Sequence, residues 1–105
     1  MNDKLSNKTA LLQVLRDPAH QHYLMKDTDL SEEYGLGRTT LRLLREENGI
    51  GGHRERVVGE LRKLSTGSMY LAQVVEALNG RVAYMCLYKI FQEEGLPLLK
   101  KGKND

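Results

Sequence analysis

The sequence predicts an all-α protein, a small multi-helix fold, on three observations. Apolar residues recur at helical spacing through most of the 105 residues. The segments they define end at helix stops such as Asn48-Gly49 and Asn79-Gly80, or open at a cap followed by a first-turn proline, Asp17-Pro18. The one stretch rich in β-formers, residues 81–94, is long for a strand and is framed by a preceding helix stop and a closing Glu-Glu-Gly.

In chain order, Ser6 or Asn7 caps a first helix carrying Leu11, Leu12, Val14 and Leu15, and Asp17-Pro18 opens a short second helix reaching about Lys26. Asp29 with Glu32 has the capping-box pattern and starts a third, which ends at Gly35. After Leu36 and Gly37 a fourth runs from Arg38 to Glu47, and Ile50-Gly51-Gly52 follows as a flexible connector. Val57, Val58, Leu61 and Leu64 make one stripe over residues 54–64; Leu71, Val74, Val75 and Leu78 make another after Ser65-Thr66-Gly67. Residues 81–94 are expected as a buried helix, apolar almost all round, with a strand in a small wing as the alternative. Past Gly95, Pro97 and the lysines mark a loose tail. The expected organisation is an N-terminal part over residues 1–52, a C-terminal helical half over 53–96 and a basic tail over 97–105.

Length and composition exclude several classes. A chain of 105 residues is too short for a larger two-domain enzyme with an interdomain cleft. With 40% hydrophobic and 29% charged residues it has the make-up of an ordinary globular protein and not of a disordered one. No window has the roughly 18 uncharged apolar residues of a membrane span, and MNDKLSNKTA lacks a signal-peptide core, so a cytoplasmic location is expected. The single cysteine, Cys86, forms no internal disulfide and no zinc site alone; it reads as a buried small hydrophobe. His20 and His22, two apart on a helix, would point about 200° apart, and His53 has no ligand partner at useful spacing. Gly49-Ile50-Gly51-Gly52 is not followed by the Lys-Ser/Thr of a phosphate loop. Neither an enzyme, a metal, a cofactor nor a small-molecule ligand is expected.

Charge is laid out in blocks. Residues 27–36 carry Asp27, Asp29, Glu32 and Glu33 and no base, whereas residues 37–63 hold Arg38, Arg42, Arg45, Arg54, Arg56, Arg62 and Lys63 against Glu46, Glu47, Glu55 and Glu60. Arginine's planar fork suits phosphates and guanine edges. Lys100, Lys101 and Lys103 add a second basic spot. Intramolecular pairing of these charges on solvated helices is the alternative.

The segment DTDLSEEYGLGRTTLRLLREENGI, residues 27–50, strings together a short amphipathic helix, a glycine-containing three-residue turn and a ten-residue amphipathic helix. It resembles the helix-turn-helix of phage and plasmid repressors, partition proteins and transposase-type DNA-binding domains. Ser31 stands as the small residue, Gly35 as the left-handed turn residue, and Leu30, Tyr34, Leu36, Leu41 and Leu44 as the miniature core. Such motifs more often have alanine where Ser31 stands and serine or threonine where Gly37 stands. The resemblance covers about 24 residues and implies a sequence-specific binder of double-stranded DNA, a small regulator of bacterial, phage or plasmid type.

On that resemblance residues 38–47 form the recognition helix in the major groove. With Leu41 and Leu44 inward, the outer face presents Arg38, Thr39, Arg42 and Leu43, with Arg45 and Glu46 at its margin. Arg42 is best placed for a bidentate guanine contact, and Leu43 either meets a thymine methyl or joins the core. Arg54 and Arg56 are expected on phosphates. Asp27 and Asp29 argue against docking, because they stand where such folds approach the DNA backbone.

The C-terminal half contains a possible repeat of this hairpin. Val75 to Gly80 aligns with Leu30 to Gly35 at an offset of 45, and Leu87, Ile90 and Gly95-Leu96 align with Leu41, Leu44 and Gly49-Ile50 at 46. The second copy lacks the arginine-bearing face, with only Arg81 and Lys89, and has Val82, Tyr84, Met85 and Tyr88 in its place. Tyr84, Met85, Tyr88 and Phe91 are expected to form a homodimer interface or core, with tandem packing within a monomer as the rival. A small helical interaction module, an inhibitor or adaptor without DNA binding, is the alternative function.

Overall fold

The computed structural model describes residues 4–99, and within them the protein is all-helical. The helices are α1 (Lys4–Leu15), α2 (Asp27–Tyr34), α3 (Arg38–Glu47), α4 (His53–Leu61), α5 (Leu71–Ala77) and α6 (Tyr84–Glu94), with a 3₁₀ turn at Thr66–Ser68. No described helix is long and apolar enough to cross a membrane. The chain forms two compact units, Met1–Val57 and Val58–Asp105, with the division inside α4.

Several expected boundaries move. The helix expected from Pro18 to Lys26 is instead a series of turns: the N–H groups of His20, Tyr23 and Met25 each donate three residues back, to Asp17, His20 and His22. Asp17 Oδ1 accepts from the Ala19 N–H, which holds the chain in a turn from the outset. α1 starts at Lys4, so Ser6 and Asn7 lie inside it and are not its caps. α2 starts at Asp27 with Lys26 at the cap position, which leaves Asp29 in the first turn and not at the cap. α4 ends at Leu61 because Lys63 and Leu64 tighten to bonds three residues back. The residues after α6 are tied down as far as Leu99, whose N–H donates to the Met69 carbonyl at 2.9 Å; Lys100, Lys101 and Lys103 lie outside the described residues.

In the first unit α1, α2 and α3 enclose Leu11, Leu15, Leu30, Leu36 and Leu41, with Met25, Tyr34, Leu44 and Ile50 packed against them. The turn between α2 and α3 is built by local chemistry. Gly35 takes φ 64°, a conformation that costs a Cβ-bearing residue about 1–2 kcal/mol. This lets the N–H groups of Gly35 and Leu36 both donate to the Ser31 carbonyl. The Ser31 hydroxyl donates in turn to the Leu36 carbonyl, so Ser31 both permits the close turn and closes it. Gly37 is extended at the N-cap of α3 and makes no side-chain cap.

The connector Ile50-Gly51-Gly52, expected to be flexible, is fixed at both ends. Glu55 accepts from the Gly52 N–H at 2.9 Å, and Arg56 Nη1 donates to the Gly51 carbonyl at 2.9 Å. A Cβ on Gly51 would sit 2.8 Å from Glu55 Cβ, closer than two such atoms approach, so any other residue there would force the start of α4 to shift.

The second unit repeats four backbone bonds of the hairpin, although Gly35 donates to Ser31 where Asn79 donates to Glu76. Lys26 accepts from Leu30 as Tyr70 accepts from Val74, and Gly37 accepts from Leu41 as Ala83 accepts from Leu87. Leu36 donates to Ser31 as Gly80 donates to Val75, and Ile50 donates to Arg45 as Leu96 donates to Phe91. The left-handed residues Gly35 and Gly49 correspond to Asn79 and Gly95. Buried Leu30, Leu36 and Leu41 correspond to buried Val74, Val82 and Leu87. The offset is therefore 44 through the first helix, not the expected 45, and becomes 46 in the second. The longer turn of the second copy accommodates Gly80 and Arg81 as two additional residues. Residues 84–94 are helix and not strand, but a helix with an exposed side and not one buried all round.

Candidate nucleic-acid interface

With 100° between successive residues of a helix, positions 38, 39, 42, 43 and 46 share one side of α3, opposite buried Leu41. All five side chains, Arg38, Thr39, Arg42, Leu43 and Glu46, are exposed. Leu43, 45% exposed, belongs to this outer side and not to the core. It borders a shallow depression with Lys8, Thr40, Leu44 and Glu47. Arg42 lies 3.3 Å from Glu46 one turn on, an exposed pair worth little and readily exchanged for another partner. Lys8 adds a base from α1 that no spacing in the sequence marks as part of this surface.

Two of the expected contact residues are withdrawn from the surface. Arg56, expected on phosphate, is 4% exposed. Its Nε donates to the Tyr23 carbonyl at 2.8 Å, Nη2 to the Met25 carbonyl at 2.8 Å and Nη1 to the Gly51 carbonyl. One guanidinium thus ties the turns after α1 and the connector after α3 to α4. Burial, with Arg45 nearby, lowers its pKa, while Asp27 acts in the opposite sense. Arg45 points inward as well: Nη2 donates to Asp27 Oδ2 at 2.9 Å, with only 13% of the side chain exposed. The sequence missed both because their partners are remote in the chain, 18 residues away for Arg45 and 33 and 31 for Arg56.

The same geometry removes half of the electrostatic objection to an anionic partner. Asp27 is ion-paired to Arg45 and lies 3.9 Å from Arg56 Nη2, so its charge is compensated internally. Asp29 remains exposed. Arg54 is half-buried at the start of α4.

Because residues 18–26 are not helical, His20 and His22 do not diverge as expected; their ring centroids are 5.2 Å apart, and His22 Nδ1 lies 2.8 Å from the Tyr34 hydroxyl. Burial, then the Glu33 charge, raises the Tyr34 pKa. Among the described residues no three His, Cys, Asp or Glu side chains gather as a metal site requires.

In the second unit Tyr84, Met85 and Tyr88 are 51%, 68% and 44% exposed, alongside exposed Lys89 and Gln92. Phe91 is 4% exposed and belongs to the core, so it leaves the expected interface. Cys86 is half-buried and not fully buried as expected. No family model, curated protein or solved structure matches the chain.

Proposed function

We propose that this protein is a sequence-specific binder of double-stranded DNA, a small non-enzymatic regulator of bacterial, phage or plasmid type that works in the cytoplasm as a homodimer. The outer side of α3 carries this reading: Arg38, Thr39, Arg42 and Leu43 stand exposed together on a helix held by a three-residue turn, the residue types that contact phosphate, guanine edges and thymine methyls. Arg42 reads a guanine, Arg38 and Thr39 engage phosphate or base at the helix N-terminus, and Leu43 meets a thymine methyl. Arg54 serves phosphates; Arg45 and Arg56 serve the fold.

Selection of bound sequences from a random duplex pool tests this. The expected result is one enriched motif whose binding weakens with salt at a log-log slope of roughly −0.9 for each phosphate contacted. No enrichment and no duplex binding at low salt would overturn it and leave the second reading, a protein-interaction module acting through exposed Tyr84, Met85 and Tyr88.

A further inference from the structure

The outer side of α3 has an acid at its middle. At about 100° per residue, Arg38, Arg42, Glu46, Thr39 and Leu43 follow one another around the helix in that order. Glu46, expected at the margin, therefore stands at the centre of the exposed side, between Arg42 and Thr39. Helix stability does not account for an acid there. Glu46 lies in the last turn of α3, where the helix dipole disfavours negative charge, and its pair with Arg42 has the base first, the weaker order for an i,i+4 pair. Nor does the hairpin frame demand it. Gln92, at the corresponding position of the second hairpin, is uncharged and keeps the turn-to-turn contact by donating to the Tyr88 hydroxyl at 2.9 Å. In the free protein Arg42 Nη1 donates to the two Glu46 carboxylate oxygens at 3.4 and 3.3 Å, and the two charges offset each other.

We propose that Glu46 is a second base-reading residue of α3, accepting a hydrogen bond from a cytosine amino group while Arg42 reads guanine. This rests on the proposed function and deepens it by naming the base pairs read. Guanine presents the acceptors O6 and N7, and Arg42 takes them by leaving Glu46. The carboxylate then faces a polyanion without its cation, and in the major groove only a base amino group offers it a donor. Adenine N6 has acceptors on both sides, its own N7 and thymine O4, which repel a carboxylate; cytosine N4 has one on the guanine side alone. Cytosine is therefore the match. One helical turn separates the two residues, a rise of about 6 Å, against about 3.4 Å for each base pair. In a helix lying along the groove they reach different base pairs, one or two steps apart. On other sequences the exchange leaves Glu46 unpaired, so the acid penalises mismatched duplexes and serves specificity at the expense of affinity.

Selection from a random duplex pool with the wild type, Arg42→Ala, Glu46→Ala and Glu46→Gln tests this, with circular dichroism checking that each exposed-site variant is folded. The wild type is expected to enrich one motif. Arg42→Ala should erase its preference at one G·C pair, and Glu46→Ala at another G·C pair one or two steps away. Glu46→Gln should move that second preference from cytosine toward adenine, because an amide offers adenine both a donor and an acceptor. On an unrelated duplex both Glu46 variants should bind several-fold tighter than the wild type, since a negative charge has left the surface. A motif unchanged by Glu46→Ala and Glu46→Gln, with every duplex bound more tightly alike, would overturn the proposal and reduce Glu46 to surface charge while recognition through α3 stands. No enriched motif with the wild type would overturn the proposed function and this inference with it.

Discussion

Arg45 of α3 donates from Nη2 to Asp27 Oδ2 at the head of α2, 2.9 Å away, and this bond joins the two helices of the hairpin at the end opposite their turn. Arg56 approaches the same carboxylate at 3.9 Å. Two guanidinium groups thus share one acid, and deleting the acid leaves two sheltered cations together. Asp27→Ala should destabilise the protein by about 2 to 4 kcal/mol, toward the cost of breaking a buried pair, because Asp27 keeps some contact with water. Urea unfolding measures it; a loss below about 0.5 kcal/mol would place the pair among inconsequential surface bridges.

Arg56 serves the fold by donating to three carbonyl oxygens, those of Tyr23, Met25 and Gly51. Arg56→Ala should cost at least about 3 kcal/mol in urea unfolding, since charge-assisted hydrogen bonds and a sheltered ion pair are lost together. Arg56→Lys should recover little of it, because a single ammonium does not reproduce a planar fork reaching three acceptors. Full rescue by lysine would mean that charge alone is required.

His53, the first residue of α4, has its pKa lowered chiefly by burial, then by Arg56 and Lys26. The unfolded chain then takes up this proton more readily than the folded one. Stability from His53 is complete above the unfolded pKa of about 6.5 and is lost as pH falls from there toward the folded value. Between pH 7.5 and 5.5 the wild-type urea midpoint should fall further than that of His53→Gln. Parallel curves would refute the assignment.

The sequence makes the outward residues of the two hairpins legible for one reason: in a short amphipathic helix, fixing the inward leucines fixes the outer side. Leu41 and Leu44 were enough to predict Arg38, Thr39 and Arg42 as exposed, and Asn79-Gly80 with Gly95 bracketed α6. The inward arginines were not legible. Arg56 resembles any other base in its block, and its burial is decided by carbonyls of Tyr23 and Met25 that face it only after the chain has turned back. Residues 18–26 failed for a related reason. Asp17-Pro18 reads equally as a helix start or a turn, and nine residues have too little propagation to decide for helix unaided.

Two glycines separate backbone need from backbone cost. Gly59 lies within α4, with nothing within 4 Å of an added Cβ. Gly59→Ala should stabilise by about 0.5 to 1 kcal/mol. Gly35, at φ 64°, should lose about 1 to 2 kcal/mol on the same change. Thermal unfolding of both variants should therefore shift in opposite directions, and shifts of one sign would contradict the turn geometry.

The most direct test of the α3 surface is binding of Arg42→Ala to its selected duplex and to an unrelated duplex, each compared with wild type. Loss of a base-reading contact should cost about 1 to 3 kcal/mol on the selected duplex and much less on the unrelated one, while Arg54→Ala weakens both alike. Equal losses on both duplexes for Arg42→Ala, with the protein folded, would contradict recognition through α3.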